Sequence, residues 1–125
     1  MKKVILTVVL AVFTTGTFAQ TENQFRVIEP EKFEQEIQQE EVQLVDIRTP
    51  KEFKEGHIEG ARNIDFLAEG FLKGFEALDK EKPLYIYCRS GNRSLKASAI
   101  LSEAGFENIT DLKGGYKAWT AKGKE

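Results

Sequence analysis

Cysteine and histidine are almost absent from this sequence, which contains one of each, Cys88 and His57. A single cysteine excludes an intramolecular disulfide and a two-cysteine redox motif. One cysteine and one histidine are also too few ligands for a standard zinc site. We therefore expect a fold without disulfide bonds, without a structural or catalytic metal, and without a cofactor.

A hydrophobic run long enough to cross a membrane is also missing. The apolar stretch Val4–Phe13 is shorter than the roughly 20 residues that a spanning helix needs. It follows the positive start Met1-Lys2-Lys3 and precedes Thr17-Phe18-Ala19, whose small residues suit a signal peptidase. The pattern predicts a signal peptide at residues 1–19 and a soluble protein that begins at Gln20, exported to the periplasm or outside the cell. A buried strand or helix is the alternative for this stretch. No cysteine lies near the cleavage point, so we expect no lipid anchor on an N-terminal cysteine.

Clusters of basic residues are absent as well. The chain has 18 basic and 20 acidic residues, and loss of Lys2 and Lys3 with the signal peptide takes its formal charge from −2 to −4. A mildly acidic chain of this kind gives no reason to expect nucleic-acid binding. Residues 20–24 are predicted to form a short polar tether, and residues 25–121 have the size of one domain with one core.

The hydrophobic pattern of this domain predicts strands that alternate with helices. The predicted strands are 25–28, 42–47, 61–64, 84–87 and 109–112. The predicted helices are 30–39, a helix capped by Thr49, 66–78, 94–104 with Ser94 as N-cap, and a terminal helix carrying Trp119. Such alternation indicates a single α/β domain with a mostly parallel sheet flanked by helices. Ligands bind such sheets outside the carboxyl ends of the strands, where Cys88 is expected.

The segment around Cys88 is the strongest functional signal in the chain. The apolar run Leu84–Tyr87 ends at Cys88, and a small, polar and basic segment leads from there into a helix. This order would set the sulfur against backbone N–H groups that bind anions. With Arg89 and Arg93 nearby, the thiol pKa should fall and Cys88 should act as a nucleophile. Its charged neighbours argue against burial, and a buried small side chain is the alternative reading.

Three ordered motifs resemble the rhodanese, or sulfurtransferase, homology domain. Val45–Ile64 is similar to the first signature of the family, with Asp46 and Arg48 in an Asp-x-Arg step and a Gly-His-Ile-x-Gly-Ala-x-Asn run. Tyr87–Ser94 resembles the active-site loop, and Leu112–Trp119 resembles the Gly-Gly-x-x-x-Trp ending. Within the family the chain looks most like the small, single-domain, exported type.

The resemblance implies thiosulfate sulfurtransferase chemistry. The Cys88 thiolate would take the outer sulfur of thiosulfate or a similar donor as a persulfide and pass it to an acceptor, cyanide in assays and thiols in cells. The loop would bind the donor and the persulfide through the six residues Arg89, Ser90, Gly91, Asn92, Arg93 and Ser94.

Several of these residues have a second possible role. Arg93 could pair with a carboxylate and brace the loop, and Arg89 could be a steering charge in solvent. We expect Gly91 to adopt a positive φ, His57 to be structural, and Trp119 to belong to the core or to a lid. Asp46 and Arg48 are expected to form a supporting ion pair or cap near the site.

Two other functions remain open on the sequence. Related phosphatases and arsenate reductases use His-Cys-x5-Arg, whereas Cys88 and Arg93 are separated by four residues and Tyr87 precedes the cysteine. A shorter ring of amides suits a single sulfur atom better than a tetrahedral oxyanion. The second possibility is a carrier that hands a Cys88 persulfide to a protein acceptor of unknown identity.

Overall fold

The computed structural model describes residues 25–123, in which five short strands form one sheet. The strands are β1 (Phe25–Ile28), β2 (Gln43–Asp46), β3 (Arg62–Asn63), β4 (Leu84–Tyr87) and β5 (Ile109–Leu112). Their order is β1-β5-β4-β2-β3, and every pairing is parallel. The single α/β domain with a parallel sheet is therefore confirmed. The predicted signal peptide and the tether at 20–24 lie outside the described residues.

Three α-helices connect strands and a fourth follows β5, and the starts of α1 and α2 follow local sequence signals. They are α1 (Pro30–Glu36), α2 (Pro50–Glu55), α3 (Asn92–Glu103) and α4 (Gly115–Ala121). Prolines occupy the first positions of α1 and α2, where no intrahelical N–H is needed. At α2 the predicted capping box is present, because the Thr49 hydroxyl accepts from the Glu52 N–H and the Glu52 carboxylate accepts from the Thr49 N–H.

Two predicted helices were wrong in extent. Residues 66–78 contain turns and one short 3-10 helix, Leu72–Phe75, because Gly70 and Gly74 weaken helix formation there. This segment instead contributes Phe71 and Phe75 to the core, with Phe66, Phe71 and Phe75 meeting edge to face. Helix α1 ends at Glu36, three residues before the predicted end.

The sheet is buried on both faces, as parallel sheets with helical connections are. Leu84 and Ile86 of β4 pack on the face covered by α3, and Tyr85 and Tyr87 pack on the opposite face. The second face holds Phe33 of α1, which meets the Trp119 ring of α4 at 6.2 Å between centroids. All four β4 residues are buried, so the strand that leads to Cys88 is fixed from both sides.

No helix within residues 25–123 is long and apolar enough to span a membrane.

Candidate active site

The backbone of the loop after β4 surrounds the sulfur of Cys88. Its Sγ atom accepts hydrogen bonds from the Gly91 N–H at 3.0 Å and the Ser94 N–H at 3.4 Å, and it lies 3.4 Å from the Ser94 hydroxyl. The predicted cradle of amides is thus present at two positions. The expectation that Cys88 is not buried was wrong, since only 1% of the residue is exposed. The polar side chains of Arg89 and Ser90 face outward, while the amides of the loop turn inward.

A glycine shapes the end of this loop. Gly91 has φ +109°, as the sequence predicted for a tight turn, and it is the N-cap of α3. The prediction that Ser94 is the N-cap was wrong, because α3 begins at Asn92. Ser94 lies in the first helical turn, completely buried, and its hydroxyl donates to the Gly91 carbonyl at 3.1 Å.

Helix α4 holds the other side of the loop. The N–H groups of Tyr116 and Lys117 donate to the carbonyls of Cys88 and Arg89 at 2.8 and 3.0 Å. The approach requires Gly115, because a Cβ there would lie 2.5 Å from the Cys88 carbonyl oxygen. The contact between α4 and the loop was not predicted from the sequence, although the Gly114-Gly115 pair could have indicated a close approach of two backbones.

Arg93 is engaged with a carboxylate from α2. Its two terminal nitrogens donate to the two Glu52 oxygens at 3.0 and 3.1 Å. The hydrogen bonds from Arg93 lower the pKa of Glu52 to about 2. Arg93 therefore makes the carboxylate pair that the sequence offered as its second role. Because Glu52 also belongs to the capping box of α2, this pair connects the loop to α2.

Asp46 and Arg48 form the predicted ion pair beside the loop. Both Asp46 oxygens accept from the Arg48 guanidinium, with a shortest distance of 2.6 Å, and both residues are buried. The guanidinium also donates to the Gly56 carbonyl at 2.6 Å and lies 4.2 Å from the centre of the Tyr116 ring. Arg48 therefore joins β2, the segment after α2, and α4.

His57 has the structural role that the sequence favoured. Its ring stacks on Phe53 at 3.7 Å, and its Nδ1 atom is 2.8 Å from the Phe53 carbonyl oxygen.

Two cavities flank the loop. The first has a volume of about 450 Å³ and is lined by charged and polar groups, among them Arg48, Arg89 and Lys117. The second has a volume of about 290 Å³, runs past Ser90, Gly91 and Asn92, and is walled by Val27, Leu95 and Asp111. The loop residues thus border open space on both sides.

Asp111, near the end of β5, was missed by the sequence reasoning. It is 1% exposed, its Oδ1 atom has no hydrogen-bond partner, and burial raises the pKa of its carboxyl to about 7. The only signal was an acidic residue inside the predicted strand Ile109–Leu112.

Within residues 25–123 no three His, Cys, Asp or Glu side chains are grouped as a metal site would need.

Comparison with known proteins agrees with this geometry. The Rhodanese-like domain family matches residues 29–122. The chain is 37% identical over 95 residues to the thiosulfate sulfurtransferase GlpE of Pseudomonas aeruginosa, covering 76% of this chain and 84% of that protein. It is 42% identical over 80 residues to the Bacillus subtilis protein YqhL, covering 64% of this chain and 62% of that relative's length.

A solved structure shows the same fold. The rhodanese-related protein of Thermoplasma volcanium superimposes with a TM-score of 0.69 at 29% identity, covering 80% of this chain and 95% of that one. The family resemblance read from the three motifs is thereby confirmed, and the chain belongs to the rhodanese-like domain family.

Proposed function

We propose that this protein is a sulfurtransferase that moves sulfane sulfur from thiosulfate or a similar donor through a persulfide on Cys88 to a thiol or cyanide acceptor. The observation that carries the proposal is the pair of N–H groups, from Gly91 and Ser94, that point at Sγ of Cys88. They would stabilise negative charge on sulfur without rearranging, first on the thiolate and then on the persulfide.

The chemistry takes two steps. The Cys88 thiolate attacks the outer sulfur of thiosulfate, the sulfur–sulfur bond of the donor breaks, and sulfite leaves with its electron pair. A thiolate or cyanide then attacks the outer sulfur of the persulfide, and the Cys88 thiolate is restored. Splitting the transfer in this way predicts ping-pong kinetics.

Donor binding would fall mainly to Arg89. Its side chain is exposed and lines the larger of the two cavities beside the loop, whose other charged groups are Arg48, Lys117, Glu52 and Glu55. Arg48 is paired with Asp46 and Glu52 with Arg93, so Arg89 and Lys117 are the cations there that could meet an anionic donor. Arg93 would contact the donor only by sharing its guanidinium with Glu52. The peptide N–H groups and the exposed side chains of Ser90 and Asn92 would complete the binding loop.

The length of the loop favours sulfur over phosphate. Four residues separate Cys88 from Arg93, and the loop presents two amides and the Ser94 hydroxyl to Sγ. A tetrahedral oxyanion would need more donors and more room. We therefore expect negligible hydrolysis of aryl phosphates.

The test compares the wild type with Cys88→Ser, which keeps the shape of the side chain and is far less nucleophilic. Incubation with thiosulfate should add one sulfur atom to the wild type by intact mass, and thiosulfate:cyanide turnover should fall at least about 1,000-fold in the variant. Unchanged thermal unfolding of the variant is the control. Turnover that survives in Cys88→Ser would disprove the covalent route, while a persulfide that forms without turnover would indicate a carrier.

We also propose that the protein is exported. The support is the basic start, the apolar stretch and the small residues before Gln20. Protein isolated from its native host should begin at Gln20, and a chain that retains residues 1–19 in the cytoplasm would contradict export.

A further inference from the structure

The larger of the two cavities beside the loop carries unpaired charges of both signs. It has a volume of about 450 Å³ and is lined by residues of α2, the loop after β4 and α4. Two of its charged groups, Arg48 and Glu52, are held in ion pairs with residues outside the cavity. Within residues 25–123 the other three, Arg89, Lys117 and Glu55, are exposed and belong to no ion pair.

The two cations of this set lie next to the residue that carries the sulfur. Arg89 follows Cys88 in the chain, and its carbonyl accepts from the Lys117 N–H at 3.0 Å. The N–H of Tyr116, which also lines the cavity, donates to the Cys88 carbonyl at 2.8 Å. A ligand in this cavity therefore lies beside Cys88.

The anion of the set comes from α2, which is held against α4. Glu55 is the last residue of α2, and the carbonyl of Gly56 after it accepts from the Arg48 guanidinium at 2.6 Å. That guanidinium lies 4.2 Å from the centre of the Tyr116 ring, and a Cβ on Gly56 would lie 2.8 Å from the Tyr116 hydroxyl. These contacts fix the end of α2 that carries Glu55 beside the helix that carries Lys117.

The mixture of charges fits the acceptor better than the donor. In a two-step transfer the donor and the acceptor use the space beside Cys88 in turn. Thiosulfate is a dianion, which Arg89 and Lys117 attract and Glu55 repels. A molecule with a carboxylate and an ammonium group uses all three charges, because its carboxylate can bind the two cations while its ammonium binds Glu55.

We propose that the preferred acceptor is a small zwitterionic thiol of the amino-acid type, and that Glu55 is the residue that selects it through its ammonium group. The inference rests on the proposed function, because it takes the persulfide on Cys88 as the sulfur source. The acceptor thiol gives its proton to water, and its sulfur bonds to the outer sulfur of the persulfide. The sulfur–sulfur bond of the enzyme breaks, its electron pair stays on Cys88 as thiolate, and the acceptor leaves as its own persulfide.

The test compares three thiols that differ in their charged groups. Protein loaded with sulfur from thiosulfate and freed of excess donor is mixed with free cysteine, with cysteamine, which lacks the carboxylate, or with 3-mercaptopropionate, which lacks the ammonium. Loss of the added sulfur is followed by intact mass. Each variant is compared with the wild type for the same thiol, so differences in thiol reactivity cancel.

The two charges should fail for different thiols. Glu55→Gln should slow transfer to free cysteine and cysteamine at least about threefold and should not slow transfer to 3-mercaptopropionate. Lys117→Gln keeps the backbone N–H and should slow free cysteine and 3-mercaptopropionate but not cysteamine. Glu40→Gln removes the same charge at an exposed position and is the matched control. A Glu55→Gln variant that slows all three thiols equally, or none of them, would overturn the proposal.

A second measurement needs no sulfur transfer. S-methylcysteine is a zwitterion without a free thiol, and its addition to the unloaded protein should shift the amide NMR signals of Arg89 and Lys117. Its Kd should rise at least about threefold in Glu55→Gln, as expected for loss of one ion pair. Absence of these shifts, or an equal Kd in both proteins, would refute the zwitterion site. A protein that binds S-methylcysteine in this way but forms no persulfide would instead contradict the proposed function.

Discussion

The carboxylates on the two sides of the Cys88 loop differ in whether a cation is paired with them. On the β2 side, Asp46 and Glu52 are each held by an arginine at hydrogen-bonding distance, and burial of Asp46 is compensated by Arg48. On the β5 side, Asp111 is as deeply buried as Asp46 and has no cation among the described residues. The pKa values follow this contrast, at about 2 for Glu52 and about 7 for Asp111.

The two sides therefore differ in how their charge responds to pH. A carboxylate that accepts from arginine keeps its charge over the physiological range, so the β2 side fixes the shape of the site. An unpaired buried carboxyl changes charge near neutrality, so the charge of the β5 side depends on pH. Burial alone therefore does not decide the pKa of an acidic residue beside this loop. The presence or absence of a cationic partner decides it.

The largest effect should come from breaking the buried pair on the β2 side. Arg48→Met leaves Asp46 charged, buried and without its partner, and we expect a loss of about 3–5 kcal/mol in the free energy of unfolding. Urea denaturation at neutral pH measures it. The double variant with Asp46→Asn should recover part of the loss, because the orphaned charge is then gone. A single-variant loss below about 1 kcal/mol would mean that the pair is not the main brace of this side.

Removing the unpaired charge should have the opposite sign. The folded-state pKa of Asp111, about 7, is above the ordinary 3.8, so the folded wild type binds the extra proton and loses stability as the pH rises between these values. Asp111→Asn cannot ionise, so its stability relative to the wild type should improve by about 1.4 kcal/mol per pH unit across that window. Unfolding by urea at about pH 5 and pH 8 tests this.

The control for that experiment is Asp79→Asn, which removes the same charge from an exposed position. A constant difference between Asp111→Asn and the wild type at both pH values would contradict a raised pKa.

The smallest effect is expected at the partly exposed pair of Glu52 and Arg93. Glu52→Gln keeps an oxygen for the Thr49 cap but loses the charge, and it should cost about 1 kcal/mol. Because the pKa of Glu52 is lowered to about 2, its contribution is present above the ordinary 4.5 and is lost as the pH falls toward 2. The deficit of the variant should therefore be smaller at about pH 3 than at pH 7.

The same variant tests whether Arg93 binds the donor. Glu52→Gln releases the guanidinium, so the KM for thiosulfate should fall if Arg93 contacts the sulfonate oxygens, and Arg93→Ala should raise it. Unchanged KM values in both variants would leave Arg93 with the bracing role alone.

Much of the architecture could be predicted from local signals. Strand β4 is a short apolar run, and the Thr49-Pro50 start of α2 carries its own capping box. The Cys88 loop could be placed because a strand and a helix enclose it. These features depend on neighbours in sequence, which a single chain displays directly.

The rest depends on contacts between distant segments. Cys88 is buried because the loop folds over its sulfur and the amides of α4 bind the carbonyls of the loop. Its charged neighbours in the sequence had indicated that it is exposed. The environment of Asp111 is likewise made by α3 and β1. The predicted helix at 66–78 shows the same limit, since its phenylalanines pack into the core without an α-helix.

The contact between Gly115 and the loop has a consequence for how the protein is made. During synthesis Cys88 leaves the ribosome well before Tyr116 and Lys117, whose amides bind the carbonyls of Cys88 and Arg89. Until those residues emerge and α4 docks, the loop lacks the two donors that bind these carbonyls. A nascent chain therefore carries the thiol before the backbone around it is held from both sides.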